Sequence, residues 1–194
     1  MFLYIKQLIA RSNTVSVGVF LSLFAAPPIL ANDLSGLSPQ EVHGLLNQKP
    51  DEVLFIDVRD PVEIMFIGST DLVDANIPFL LVDRATWDSK KNRFRLYRNP
   101  EFITEVKAAL SAKGLDEDAT VITMCRSGSE RGLPSAQFLQ EHGLTNATFV
   151  VNGFQGGSAK DGPYQGMRVL NGWQNSGLPW SAKPNANTIY RLDR

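Results

Sequence analysis

The chain has 194 residues, 43% hydrophobic and 20% charged, enough for one domain with a sizeable core beside a short leader. A formal net charge of -1 and a pI near 6.1 exclude the basic footprint of a nucleic-acid binder, and no acidic or basic block is long enough to form a charged tail. No internal repeat or low-complexity segment interrupts it.

The N-terminus differs from the rest. Lys6 and Arg11 precede the uncharged run Thr14 to Ala31, which closes on Ile29-Leu30-Ala31. A basic stretch, an apolar stretch and a small residue follow in the order of a secretory signal. Pro27 and Pro28 break the apolar run, which favours cleavage after Ala31 over retention as a membrane anchor. Residues 1–31 hold no acid, so losing Lys6 and Arg11 takes the formal charge from -1 to -3. The expectation is an exported, periplasmic protein with no stable membrane association after cleavage.

In chain order, Ser38 as N-cap, Pro39 at the first helical position and Glu41 three residues after the cap predict a helix opened by a capping box. "EVLFIDV", Glu52 to Val58, reads as a strand buried on both faces of a parallel sheet. Asp60, Pro61 and Glu63 repeat the helix-start pattern, and Gly68 ends it. "DANIPF", Asp74 to Phe79, predicts a brief strand closed by proline. Leu81 to Arg98 has mixed polarity and five basic residues between Lys90 and Arg98, and reads as a long connection. Asn99 and Pro100 open a helix with Phe102, Ile103, Val106, Ala109 and Leu110 on one face, closed by Gly114. "ATVITMC", Ala119 to Cys125, is a second buried strand, Leu133 to Gly143 a helix, and Ala147 to Phe154 a further strand. The remainder is rich in Gly, Asn, Pro and Trp with little periodicity. Strands alternating with helices predict an α/β domain, its central sheet largely parallel with helices on both faces.

The cysteine loop falls between a strand and a helix. Ligands of open parallel sheets collect beyond the carboxyl ends of the strands, where Cys125 stands. It is the sole cysteine, so in an oxidising compartment it has no partner within the chain. A core cysteine would not normally be followed by Arg126, Ser127, Gly128, Ser129, Glu130 and Arg131. Gly128 between two serines lets the loop curl so that backbone N–H groups converge, beside a helix N-terminus that favours negative charge. Helix-end N–H groups and guanidiniums favour a thiolate over a thiol. Arg126 and Arg131 suit an oxyanion such as thiosulfate, sulfate or phosphate. Attack by the sulfur would give a covalent intermediate and ping-pong group transfer.

Several segments carry a resemblance to single-domain rhodaneses, from about Leu37 to Pro179. "FIDVRDPVE" resembles that family's first strand and turn. "GSTDLVDANIP" resembles its Gly-His-Ile-Pro-Gly-Ala-x-Asn-Ile-Pro segment without the histidine, and "CRSGSER" lies where the family has its active-site loop. "VNGF" and "GWQNSGLPW" resemble the halves of its closing signature, separated by an insertion near 155–171. The resemblance implies a rhodanese-like domain over 32–182 with insertions near 81–98 and 155–171, a signal peptide over 1–31 and a tail over 183–194. It implies a sulfurtransferase in which Cys125 takes sulfur from a small anionic donor such as thiosulfate, becomes a persulfide, and passes it to cyanide or a thiol, the acceptor in one variant being an exported protein. The loop N–H groups would hold the persulfide and the two arginines would attract the donor. Asp57 and Arg59 would brace the loop through hydrogen bonds.

Glu130 lengthens the loop to Cys-x5-Arg, against the shorter loop of many sulfurtransferases of this fold. That spacing is similar to the cell-cycle dual-specificity phosphatases and related arsenate reductases, which leaves a cysteine phosphatase with Glu130 as general acid as an alternative. A non-catalytic binding or sulfur-carrier module is the third reading. His43 and His142 have no ligand-spaced partner, no phosphate or dinucleotide motif is present, and no metal or other cofactor is expected. Trp173 and Trp180 are read as cover for a core edge, and Lys90 to Arg98 as a solvated basic face, with the steering of anionic donors toward the loop as its alternative.

Overall fold

A computed structural model describes residues 34–192; the leader reading over 1–31 and the last two residues of the tail lie outside them. The first helix, α1, spans Pro39–Gln48, and its capping box is complete. The Ser38 side chain accepts the Glu41 N–H, and the Glu41 carboxylate accepts the Ser38 N–H at 2.7 Å. β1 (Val53–Asp57) follows, buried along its whole length, and then α2 (Pro61–Ile67), whose first turn is capped by Asp60 accepting the Val62 N–H at 2.9 Å. β2 is only Ala75–Asn76.

The long connection expected over Leu81 to Arg98 is instead an antiparallel hairpin, β3 (Leu80–Asp88) and β4 (Arg93–Arg98). Its strands are largely exposed, so charged residues occupy positions a core strand would fill with apolar ones, and the alternation that marks a strand is lost. Val82 and Leu96 pair across it, and Asp88 turns the tip by accepting the Lys90 and Lys91 N–H groups. α3 (Phe102–Ala112), β5 (Thr120–Met124) and α4 (Gly132–Glu141) fall where expected within a few residues. The strand expected to run to Phe154 stops early: β6 is Ala147–Phe149, because the chain turns back at Asn152 and Gly153, both at positive φ. The unperiodic remainder contains a second small hairpin, β7 (Gly157–Ser158) with β8 (Arg168–Leu170).

The central sheet has the order β2-β1-β5-β6 with every pairing parallel. Alternating residues divide it between two cores. Leu54, Ile56 and Val121 meet Phe102, Val106 and Leu110 of α3 and Leu139 of α4. Val53, Phe55, Ile122 and Met124 meet Val42 and Leu46 of α1, with Phe154 and Trp173. Helices thus cover both faces, and each wholly buried apolar side chain contributes about 1.5–3 kcal/mol. Trp173 is 0% exposed, central to its core and not at an edge; it lies 5.5 Å from Phe55 and donates to the Pro179 carbonyl. The tail follows the free edge of β2, where the Asn76 N–H donates to Thr188 and the Asn76 side-chain oxygen accepts the Tyr190 N–H. Among the described residues, no helix is long and apolar enough to cross a membrane.

Candidate functional site

β5 ends at Met124, and α4 begins at Gly132, so residues 125–131 form a loop at the carboxyl end of the sheet. Gly128, at φ +83°, turns its N–H back onto the Cys125 sulfur at 3.2 Å. The loop is held from beneath by the turn after β6: the Phe154 N–H donates to the Cys125 carbonyl at 2.7 Å and the Gln155 N–H to the Arg126 carbonyl at 2.9 Å. A side chain at Gly128 would strike the Val150 carbonyl and the Asn152 nitrogen, so the loop can close over this turn only with glycine there. Cys125 is 1% exposed and also packs with the apolar core, so the sulfur lies beneath the loop.

The loop residues divide by partner. Arg131, 9% exposed, donates to both carboxylate oxygens of Glu63, at 2.6 and 3.1 Å. Burial opposes its charge, but the Glu63 bonds and charge, with Cys125 and Asp57, outweigh that and hold its pKa above the ordinary guanidinium value. Glu130 accepts from Arg93 of β4 at 2.6 Å, and that bond holds its carboxyl below the ordinary glutamate value. Arg126 donates to the neutral Gln155 side chain at 2.9 Å; burial first, and then the like charge of Arg168, lower its pKa. The hydroxyls of Ser127 and Ser129 lie 3.3 Å apart.

Asp57 and Arg59 form a fully buried ion pair, closest at 2.5 Å. Arg59 also donates to the Gly68 carbonyl, and Ser69 donates to Asp57. These bonds run to the turn after α2, not to the cysteine loop as the sequence suggested. The path to the loop is indirect, through Phe154, over whose ring the Arg59 guanidinium sits at 4.3 Å.

A cavity of about 610 Å³ opens beside the loop, with Arg126, Ser127, Glu130 and Arg131 in its wall. The facing wall is apolar, formed by Leu80 and Val82 of β3 and Phe94 and Leu96 of β4. Arg84, Arg93 and Arg168 complete its positive lining, and Asp60 and Glu63 its acidic one. The basic run is therefore not only a solvated face: Arg93 enters the site, and Arg98 packs on the Phe138 ring at 4.7 Å. Sequence reasoning missed Glu63, Gln155 and Arg168, and weighed Arg93 only within a basic run that could steer anions toward the loop. Glu63 was read as part of a helix start, and the others lie in segments read as insertions. Among the described residues, no cluster of three or more His, Cys, Asp or Glu side chains could hold a metal ion.

The sequence profile of the rhodanese-like domain matches residues 38–160, most of the chain. The protein belongs to the rhodanese-like domain family. The crystal structure of Rv0390 from M. tuberculosis is similar at 26% identity, with a TM-score of 0.53, over 77% of this chain and 98% of that one. A rhodanese-related protein from Thermoplasma volcanium is 20% identical over 76% of this chain and 98% of that one, at a TM-score of 0.41. No curated protein matches the chain.

Proposed function

We propose that this rhodanese-like protein is a sulfurtransferase that carries sulfur as a persulfide on Cys125. The observation that supports it most directly is the Gly128 N–H aimed at the Cys125 sulfur within a loop bordered by Arg126 and Arg131. The Cys125 thiolate attacks the outer sulfur of thiosulfate. The bond between that sulfur and the sulfonate breaks, and sulfite leaves with the electron pair. The terminal sulfur of the resulting persulfide is then taken by cyanide, giving thiocyanate, or by a thiolate, and Cys125 returns to thiolate. Arg126, with no ion-paired carboxylate among the described residues, draws the donor in, and the buried, glutamate-braced Arg131 supplies a fixed charge at the end of the loop. Because Cys125 lies under the loop, the donor gains the sulfur through a small opening of residues 126–130.

The Cys-x5-Arg spacing favours phosphate-ester hydrolysis as a second reading. Its general acid within the loop would be Glu130, but Arg93 keeps that carboxyl ionised and so without a proton to give. An arsenate reductase would have to draw its resolving thiol from a second molecule, since Cys125 is the sole cysteine.

Intact mass of the protein and of Cys125→Ser after thiosulfate, and again after cyanide, tests the proposal. Gain of one sulfur on the native protein alone, removed as thiocyanate, supports it; a native mass unchanged by thiosulfate refutes it. We further propose that the chain is exported and cut after Ala31, so N-terminal sequencing of the mature protein should begin at Asn32.

A further inference from the structure

Three arginines on the cavity wall form no ion pair among the described residues. Arg131 is taken by Glu63 and Arg93 by Glu130, while Asp60 is engaged by the Val62 N–H. That leaves Arg84, Arg126 and Arg168 without an ion-pair partner among the described residues. Arg126 is bonded to a neutral amide and Arg168 to the Gly156 carbonyl, and both line the same cavity. Five arginines line the cavity against three carboxylates, Asp60, Glu63 and Glu130, and that positive excess favours an anion taken from solution.

A small inorganic ion satisfies only part of this site. The cavity, about 610 Å³, has the size of pockets that hold organic ligands, and one wall is the apolar hairpin of Leu80, Val82, Phe94 and Leu96. Such a wall gains nothing from thiosulfate or cyanide and gains much from a hydrocarbon body. Arg168 stands beyond the stretch that the family profile matches.

We propose that the cavity binds an organic thiol with an apolar body and a carboxylate as the sulfur acceptor, and that Arg168 selects it by pairing with the carboxylate. The inference rests on the sulfur-transfer reading. The hydrocarbon lies along β3 and β4, and the thiolate attacks the terminal sulfur of the Cys125 persulfide. The bond between the two persulfide sulfurs breaks, Cys125 leaves as thiolate, and the acceptor departs as an organic persulfide.

Binding can be measured apart from turnover with 6-(methylthio)hexanoate, whose capped sulfur accepts nothing. By calorimetry on the whole protein it should bind about tenfold more tightly than 6-(methylthio)hexanol, the gain of one charge-assisted pair. Arg168→Gln should remove most of that difference, and Arg168→Lys should keep part of it. Equal binding of the two probes by the native protein overturns the proposal whether or not the variants fold, and so does a preference that survives in folded Arg168→Gln. In turnover with thiosulfate, the kcat/KM ratio of 6-mercaptohexanoate to 6-mercaptohexanol should fall in Arg168→Gln. Failure of the sulfur-transfer reading shows itself separately, as thiosulfate leaving no mass on Cys125 while the calorimetric preference stands.

Discussion

Gly153 packs its bare Cα against the Cys125 backbone: a Cβ there would come 2.2 Å from the Cys125 carbonyl oxygen and 2.8 Å from the Gly128 nitrogen. The turn after β6 is thus the floor on which the cysteine loop is shaped.

Gly153→Ala meets two backbone atoms that no rotamer change can move, at a φ of +56°. Urea denaturation should show a loss above about 2 kcal/mol. Gly177→Ala, at φ +70° with open space around it, should cost only about 1 kcal/mol. Equal losses would mean that the close approach to Cys125 is not what requires glycine.

Asp57→Asn leaves the wholly buried Arg59 guanidinium with a neutral neighbour, and one of its nitrogens already lacks a partner. Stability should drop by about 3 kcal/mol. Because the pair bonds to the turn after α2, kcat for sulfur transfer at a temperature where the variant is folded should change less than threefold. A hundredfold fall in kcat with native stability would place Asp57 in the chemistry instead.

Glu63→Gln removes the charge that compensates Arg131 while keeping the side chain's shape. With the pair largely buried, the expected loss is about 2–4 kcal/mol in thermal or chemical unfolding. Arg131→Lys should lower kcat/KM for thiosulfate about tenfold or more, because an ammonium cannot reproduce the two-point grip on Glu63 that fixes the charge in the cavity wall. An unaltered kcat/KM would remove Arg131 from the donor site.

Glu130 ties stability to pH. Its folded pKa lies below the ordinary 4.5, so its contribution is complete above pH 4.5 and disappears as pH falls through the folded value. Stability measured downward from pH 6 should therefore decline below about pH 4.5. Glu130→Gln should flatten that acid slope, most clearly at low salt since the pair is partly exposed. An acid limb identical in both proteins would show that the Arg93 bond does not persist in solution.

What the sequence made legible is what local physics determines. The capping box of Ser38 and Glu41, the two strands buried on both faces and the glycine inside the cysteine loop each leave a mark within a few residues. The partners of the site do not. Glu63 and Arg131 are 68 positions apart and Arg93 and Glu130 are 37, so nothing local distinguishes them from ordinary surface charges. The β3–β4 hairpin was hidden for a related reason: it faces a cavity, not a core, and its polarity pattern follows that cavity.

The depth of Cys125 has a further meaning for a protein with one thiol. Joining two copies through sulfur would bring their Cα atoms within about 7 Å of each other. With 1% of Cys125 exposed, and with Arg126, Ser127 and Glu130 standing between it and the cavity, no second fold of this size can approach that closely. The buried sulfur is closed to its own kind. A solitary cysteine can in this way stay unlinked, guarded by shape in place of a disulfide partner.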